Sequence, residues 1–189
     1  MTKIAVKPGT ILYPLPAVMV SLGKKPEEYN IITISWTGTL NSTPPMCYIS
    51  VRPERHSYNI LKANMEFVIN LTTNNLAYAM DWCGVNSGKN FNKFKEMNLT
   101  PAKAQIVNAP LIEESPVNIE CKVSRILPLG SHHMFIADIV AVNMDEGYKD
   151  LNNNDVSGNF GLISYAHGMY YKQGDEIGKF GYSNRQNQN

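Results

Sequence analysis

An excess of charge of either sign is the first thing this chain lacks: Lys and Arg number 17 against 16 Asp and Glu, a net charge of +1. With no excess and no Lys/Arg run, nothing gathers a phosphate backbone or an anionic membrane, so nucleic acid and membrane are excluded as partners. Cysteine is scarce as well. Cys47, Cys83 and Cys121 are odd in number and far apart, form no C-x-x-C pair and join no Cys/His cluster. That excludes a disulfide framework, dithiol exchange and a bound metal, and fits a reducing compartment. The apolar stretch Ile11 to Val20 is broken by Pro14 and Pro16 and is too short to span a bilayer, and no basic segment with an apolar core opens the chain. The expectation is a cytoplasmic protein. No G-x-G-x-x-G follows a strand pattern, so a Rossmann nicotinamide site is absent, and no nucleophile with an acid/base triad stands out.

What is present suits a single domain over residues 1–189, with an irregular N-terminal arm over 1–10 and an irregular C-terminal segment over 145–189. The chain is organised around Asn30 to Ser57, where strand patterns at Ile31 to Trp36 and Met46 to Val51 flank a loop rich in Gly, Asn, Ser, Thr and Pro. The period of an extended chain sends Thr33 and Ser35 to one face and Ile32, Ile34 and Trp36 to the other. In the second strand Tyr48, Ser50 and Arg52 share a face, which sets a hydroxyl and a guanidinium about 7 Å apart. Pro53 ends that strand, and Ser57 before Tyr58, Ile60 and Leu61 reads as an N-cap opening a short helix. Arg52, Ser57 and the helix amides then form a cradle for one anion, which the pattern leaves unnamed. The bland alternative is an ordinary cap, ordinary strand hydroxyls and a surface arginine.

Elsewhere Val18, Val20 and Leu22 mark a strand, and Phe67, Ile69 and Leu71 another, with Asn70 at its end free to bond a ligand. Asn74 or Asn75 caps a helix over Leu76 to Cys83, with Gly84 at its stop. The loop from Val85 to Phe94 carries Ser87, the Gly88 amide, Lys89 and Lys93, and reads either as a solvated loop or as a second phosphate arm. Val117, Ile119, Cys121 and Val123 alternate with polar residues as a half-buried strand, so Cys121 points inward. With Pro128 to Ser131 as a turn and Met134 to Met144 as a second strand, this is a hairpin. His132 and His133 point to opposite faces, which argues against joint chelation. Asp145 to Asn159 is turn-prone, and Tyr165, Tyr170, Tyr171 and Phe180 make the tail aromatic before a polar SNRQNQN end. Many strands with few short helices predict a mainly β, antiparallel barrel.

Six motifs in order resemble the flavin reductase-like family, especially its flavoredoxin branch. They are T-x-S-W-x-G at Thr33 to Gly38, S-V-R-P-x-R-x-S at Ser50 to Ser57, E-F-V-I-N at Glu66 to Asn70 and S-G-x-x-x-x-K-F at Ser87 to Phe94. G-S-H-H-M-F at Gly130 to Phe135 and Y-Y-x-x-G-x-x-I-G-x-F-G at Tyr170 to Gly181 complete the set. The resemblance implies a Greek-key FMN-binding split β-barrel and a flavoprotein oxidoreductase that takes electrons from NADH, NADPH or a protein donor and passes them to an acceptor. It implies that Arg52, Ser57 and Lys93 hold the FMN phosphate. Thr33, Ile34, Ser35, Trp36, Ser50 and Val51 then border the ring and ribityl chain, with Asn70, Ser87 and Gly88 as further contacts; the chemistry is the flavin's, at most one of His132 and His133 faces it, and His133 is the candidate for a catalytic role. It further implies a homodimer with flavin near the interface. The alternatives are a flavin-binding electron carrier without efficient NAD(P)H oxidation, and a non-redox barrel for another small ligand.

Overall fold

The computed structural model describes residues 1–150, 155–156 and 161–183. After an exposed arm with no helix or strand, β1 (Leu15–Pro16) and β2 (Val18–Leu22) lead by a turn to β3 (Asn30–Ile34). β4 (Thr37–Ser42), β5 (Pro45–Val51), α1 (His56–Asn64) and β6 (Glu66–Leu71) follow, then α2 (Ala77–Val85) and α3 (Lys93–Glu96). β7 (Pro101–Ala102) and β8 (Leu111–Ile112) precede the long hairpin of β9 (Val117–Pro128) and β10 (His133–Met144). β11 (Lys149–Asp150), β12 (Asp155–Val156), β13 (Ile163–Ala166) and β14 (Met169–Lys172) end the described chain.

β2 is buried along its whole length, because its two-residue period feeds two cores. Val18, Val20 and Leu22 point into the barrel with Phe67, Ile69, Cys121 and Phe135. Met19 points outward against Met80, Cys83, Phe94 and Leu99, where α2 and α3 cover the sheet. β3 divides likewise, Ile32 and Ile34 inward and Ile31 outward. Each such side chain fully removed from water contributes roughly 1.5–3 kcal/mol, so helix packing as well as strand pairing holds this edge.

Seven antiparallel strands run in the order β3-β2-β6-β9-β10-β5-β4. The mainly β, antiparallel expectation holds, as does the hairpin across Val117 to Met144. β3 and β4 are consecutive in the chain yet lie at opposite edges of the order, and the Ser50 N–H donates to the Trp36 carbonyl at 2.9 Å, which carries the β4–β5 pairing one residue beyond Thr37 and Ile49.

Several expectations differ. The stretch after Trp36, read as a loop, carries β4, because its polar residues occupy an exposed edge strand that needs no apolar alternation. The helix after Pro53 begins at His56 with Arg55 in the cap position, so Ser57 lies inside the first turn rather than capping it. Asn74 and Asn75 form a short 3-10 turn with Leu76 ahead of α2, and Gly84 falls within α2 rather than past its end. The segment 145–189 is not wholly irregular: β13 and β14 pair as a hairpin, and β13 also pairs with β1. Residues 151–154 and 157–159 of the turn-prone stretch, residue 160 after it, and 184–189 of the polar end lie outside the described residues.

Asn70 is fully buried and committed to structure. Its amide donates to the Met19 and Val68 carbonyls and to Ser21 Oγ, and its Oδ1 accepts from the Ile112 N–H and Asn118 Nδ2. No lone pair or proton is left facing a ligand. Cys47 and Cys121 meet inside the barrel at 3.5 Å, while Cys83 sits in the outer core, where burial pushes its thiol up to about 11.

Candidate functional site

Where β3 and β5 run out side by side, their ends leave a cleft of about 250 Å³. It is lined by the runs Ile32 to Trp36 and Ser50 to Arg52, together with Arg55, His132 and Tyr165. A smaller hollow of about 30 Å³ lies beyond, among Ser57, Gly84, Ser87, Gly88 and Lys93. Ile32 and Arg55 line both, so the two are one site with a broad end and a narrow end.

Cations and small residues build the narrow end. Lys93 is only 3% exposed, and its ammonium donates to the carbonyls of Ile31 at 2.7 Å and Cys83 at 2.6 Å. Those partners belong to β3 and to the last turn of α2, where helix carbonyls lack intrahelical donors. Burial drives the Lys93 pKa down to about 8, the neighbouring Cys83 opposing and the Arg55 charge adding to the shift. A third ammonium proton remains for the hollow. Ser57 Oγ accepts from Asn30 Nδ2 at 2.9 Å, which leaves its own hydroxyl proton free to donate, while Asn30 Oδ1 is buried without a partner. Gly88 packs onto that amide so closely that a Cβ there would fall 2.2 Å from Asn30 Oδ1. Only glycine fits. Gly84 allows a similar approach of α2 to Thr33, whose hydroxyl donates to the Met80 carbonyl.

At the broad end the Trp36 and His132 rings lie 4.3 Å apart, centroid to centroid. Partial burial first, and the Arg52 charge second, hold His132 below the ordinary histidine value, so the ring is mostly neutral at pH 7. Tyr165 arrives from β13, held by the pairing of Leu15 with Tyr165 and by contacts with the Tyr13 and Tyr170 rings.

The structure therefore gathers Ile34, Ser35, Trp36, Ser50, Val51, Arg52, Ser57, Ser87, Gly88 and Lys93 around one site. Thr33 borders it, but its hydroxyl is engaged with α2. Asn70 lies elsewhere, in the polar node described above. His133 turns to the α1 side, its Nδ1 2.7 Å from the Tyr58 hydroxyl, and it is His132 that lines the cleft. Arg52 is half-exposed and paired with Glu54 at 3.3 Å, whereas Arg55 stands at the seam of the two hollows. Sequence reasoning passed over Arg55, Asn30 and Tyr165 as site residues and left open which of His132 and His133 faces the cleft. Arg55 lay in plain view in the R-P-x-R-x-S run, but nothing local to Tyr165 points to a strand end so distant in the chain.

Among the described residues no His, Cys, Asp and Glu cluster could hold a metal, and no helix is long and apolar enough to cross a membrane. In comparisons with known proteins, flavoredoxin of Desulfovibrio vulgaris (Miyazaki F) is 26% identical, with a TM-score of 0.83 over 97% of this chain and 100% of its own. An FMN-binding protein from Thermus thermophilus, solved with bound 1-cyclohex-2-enone, is 20% identical, with a TM-score of 0.80 over 95% of this chain and 98% of its own. An uncharacterised protein of Archaeoglobus fulgidus is 29% identical over 139 residues, 74% of this chain and 77% of its own. The family described as flavin reductase like domain matches residues 11–173, from the arm through β14, so the split-barrel architecture and the sequence agree, and the chain belongs to the flavin reductase-like family.

Proposed function

We propose that the protein is an FMN-binding oxidoreductase whose flavin takes electrons from NADH or NADPH and passes them to an acceptor. Lys93 is the observation that carries this reading: an ammonium buried against two carbonyls, with no carboxylate among its partners, at the narrow end of a cleft. A buried cation without a counter-anion is costly, and a phosphate supplies the missing charge. The rest of the donor set fits the same group. The Ser57 hydroxyl, the Arg55 guanidinium and the free amides at the start of α1 converge with Lys93 on the narrow end, while Ser87 and Gly88 close its far side. Gly88 packs onto Asn30, the residue that holds Ser57, at a distance that leaves no room for a Cβ. Arg52 supplies charge at the outer rim rather than the main anchor.

Bound there, FMN supplies the hydride and electron transfer. The chain's own part is to bind, orient and tune. The backbone from Thr33 to Trp36 and from Ser50 to Val51 would border the ring and ribityl chain, and the neighbouring Trp36 and His132 rings line the same cleft. Held below the ordinary histidine value, His132 would bring little positive charge to that ring. We further infer a homodimer, since Ile11 and Leu12 of the arm and Ile177 and Phe180 of the tail are left exposed in one copy.

An anaerobic absorbance spectrum after FMN loading, followed by NADPH and then NADH, tests the function. The expected result is a bound flavin spectrum that bleaches with at least one donor. Bound flavin that neither donor bleaches identifies an electron carrier served by a protein donor, and no flavin binding overturns the redox reading altogether.

A further inference from the structure

On the far side of α3 from the flavin cleft lies a cavity of about 610 Å³, within the range that holds small organic ligands. Phe94, Ala104 and Val107 make a buried apolar floor, and the Tyr29 ring stands beside Phe94 with centroids 6.2 Å apart. The charged lining residues are the exposed Lys24 and Lys103, and no Asp or Glu lines the cavity. An apolar, ring-edged floor beneath two cations is complementary to a flat aromatic body carrying a negative group.

The wall between this cavity and the flavin cleft is built from two pairs of neighbours. Tyr29 and Phe94 face the cavity. Asn30, next to Tyr29, holds Ser57, and Lys93, next to Phe94, lines the narrow end. Any ligand that packs against Tyr29 and Phe94 therefore bears on the two residues that shape the phosphate cradle.

We propose that this cavity is a second ligand site, for a small planar aromatic anion, and that filling it steadies Asn30 and Lys93 and so tightens FMN. The coupling half rests on the flavin reading above; the site itself does not.

The test is calorimetric titration of 1-naphthoate into the flavin-free protein, the Lys24→Glu/Lys103→Glu variant and the Ala102→Trp variant, whose indole would occupy the half-buried edge of the cavity. Thermal melts check that both variants fold. Naphthoate should bind the parent, bind about tenfold or more weakly after charge reversal, and not bind the filled cavity. With saturating naphthoate the FMN dissociation constant should fall by about fivefold or more, and FMN should tighten naphthoate by the same factor. No binding to the parent, or undiminished binding to either folded variant, overturns the site. An unmoved FMN constant overturns the coupling. Failure of FMN to bind at all overturns the flavin reading, while the flavin-free titration still decides the site.

Discussion

Replacing Lys93 with Met separates the anion-holding role from a structural one. The burial that moves this ammonium from 10.5 to about 8 sets about 3 kcal/mol against its charged form at neutral pH. A phosphate in the narrow end relieves that cost. Its contribution to FMN binding is therefore of the same order, about two decades in the dissociation constant. The signs follow from proton counting. Between about pH 8 and 10.5 the unfolded chain holds a proton that the folded protein has lost, so the flavin-free protein gains stability from this group as pH rises through that window. FMN affinity does the opposite, being flat up to about pH 8 and then falling, because the phosphate prefers the ammonium. Lys93→Met should weaken FMN by about two decades, leave riboflavin nearly unchanged and abolish both slopes. Its effect on flavin-free stability should be small, since two lost hydrogen bonds oppose one relieved buried charge. Fluorescence titrations of FMN and riboflavin between about pH 7 and 10, with urea melts alongside, read all of these. Equal losses for the two flavins, or an FMN constant indifferent to pH, would falsify the assignment.

Arg55→Ala should raise the FMN dissociation constant by about one decade, and Arg52→Ala by about threefold or less, since Arg52 is solvated and already paired with Glu54; the reverse ranking in parallel titrations would make Arg52 the stronger anchor. Gly88→Ala sets a methyl 2.2 Å from Asn30 Oδ1, so calorimetry should show a lowered melting temperature and FMN binding lost before riboflavin binding; a variant that binds FMN normally refutes the close-approach argument. Asn70→Ala removes five hydrogen bonds from a fully buried node and should destabilise by about 2–4 kcal/mol in urea melts, with flavin affinity intact in the protein that remains folded. A selective loss of flavin there would restore Asn70 to the site.

Local pattern settled much of this protein. Alternation in Val117 to Met144 is enough to specify a hairpin, because a strand buried on one face has a single workable phase. The motif order from Thr33 to Gly181 carried the family and the broad walls of the cleft. Tertiary structure decided what local pattern leaves degenerate. Ser57 and Arg55 are equally plausible ends of a helix until Asn30, from another strand, engages the serine and fixes the phase. An Asn at a strand end looks free until Met19, Ser21, Ile112 and Asn118 surround it. His132 and His133 divide by alternation, but which faces the cleft depends on Tyr58 taking His133. Tyr165 reaches the cleft only through pairing with a strand at the opposite end of the chain. In each case the deciding partner is remote in sequence, and its position follows from the register of the whole barrel, which no short window of residues contains.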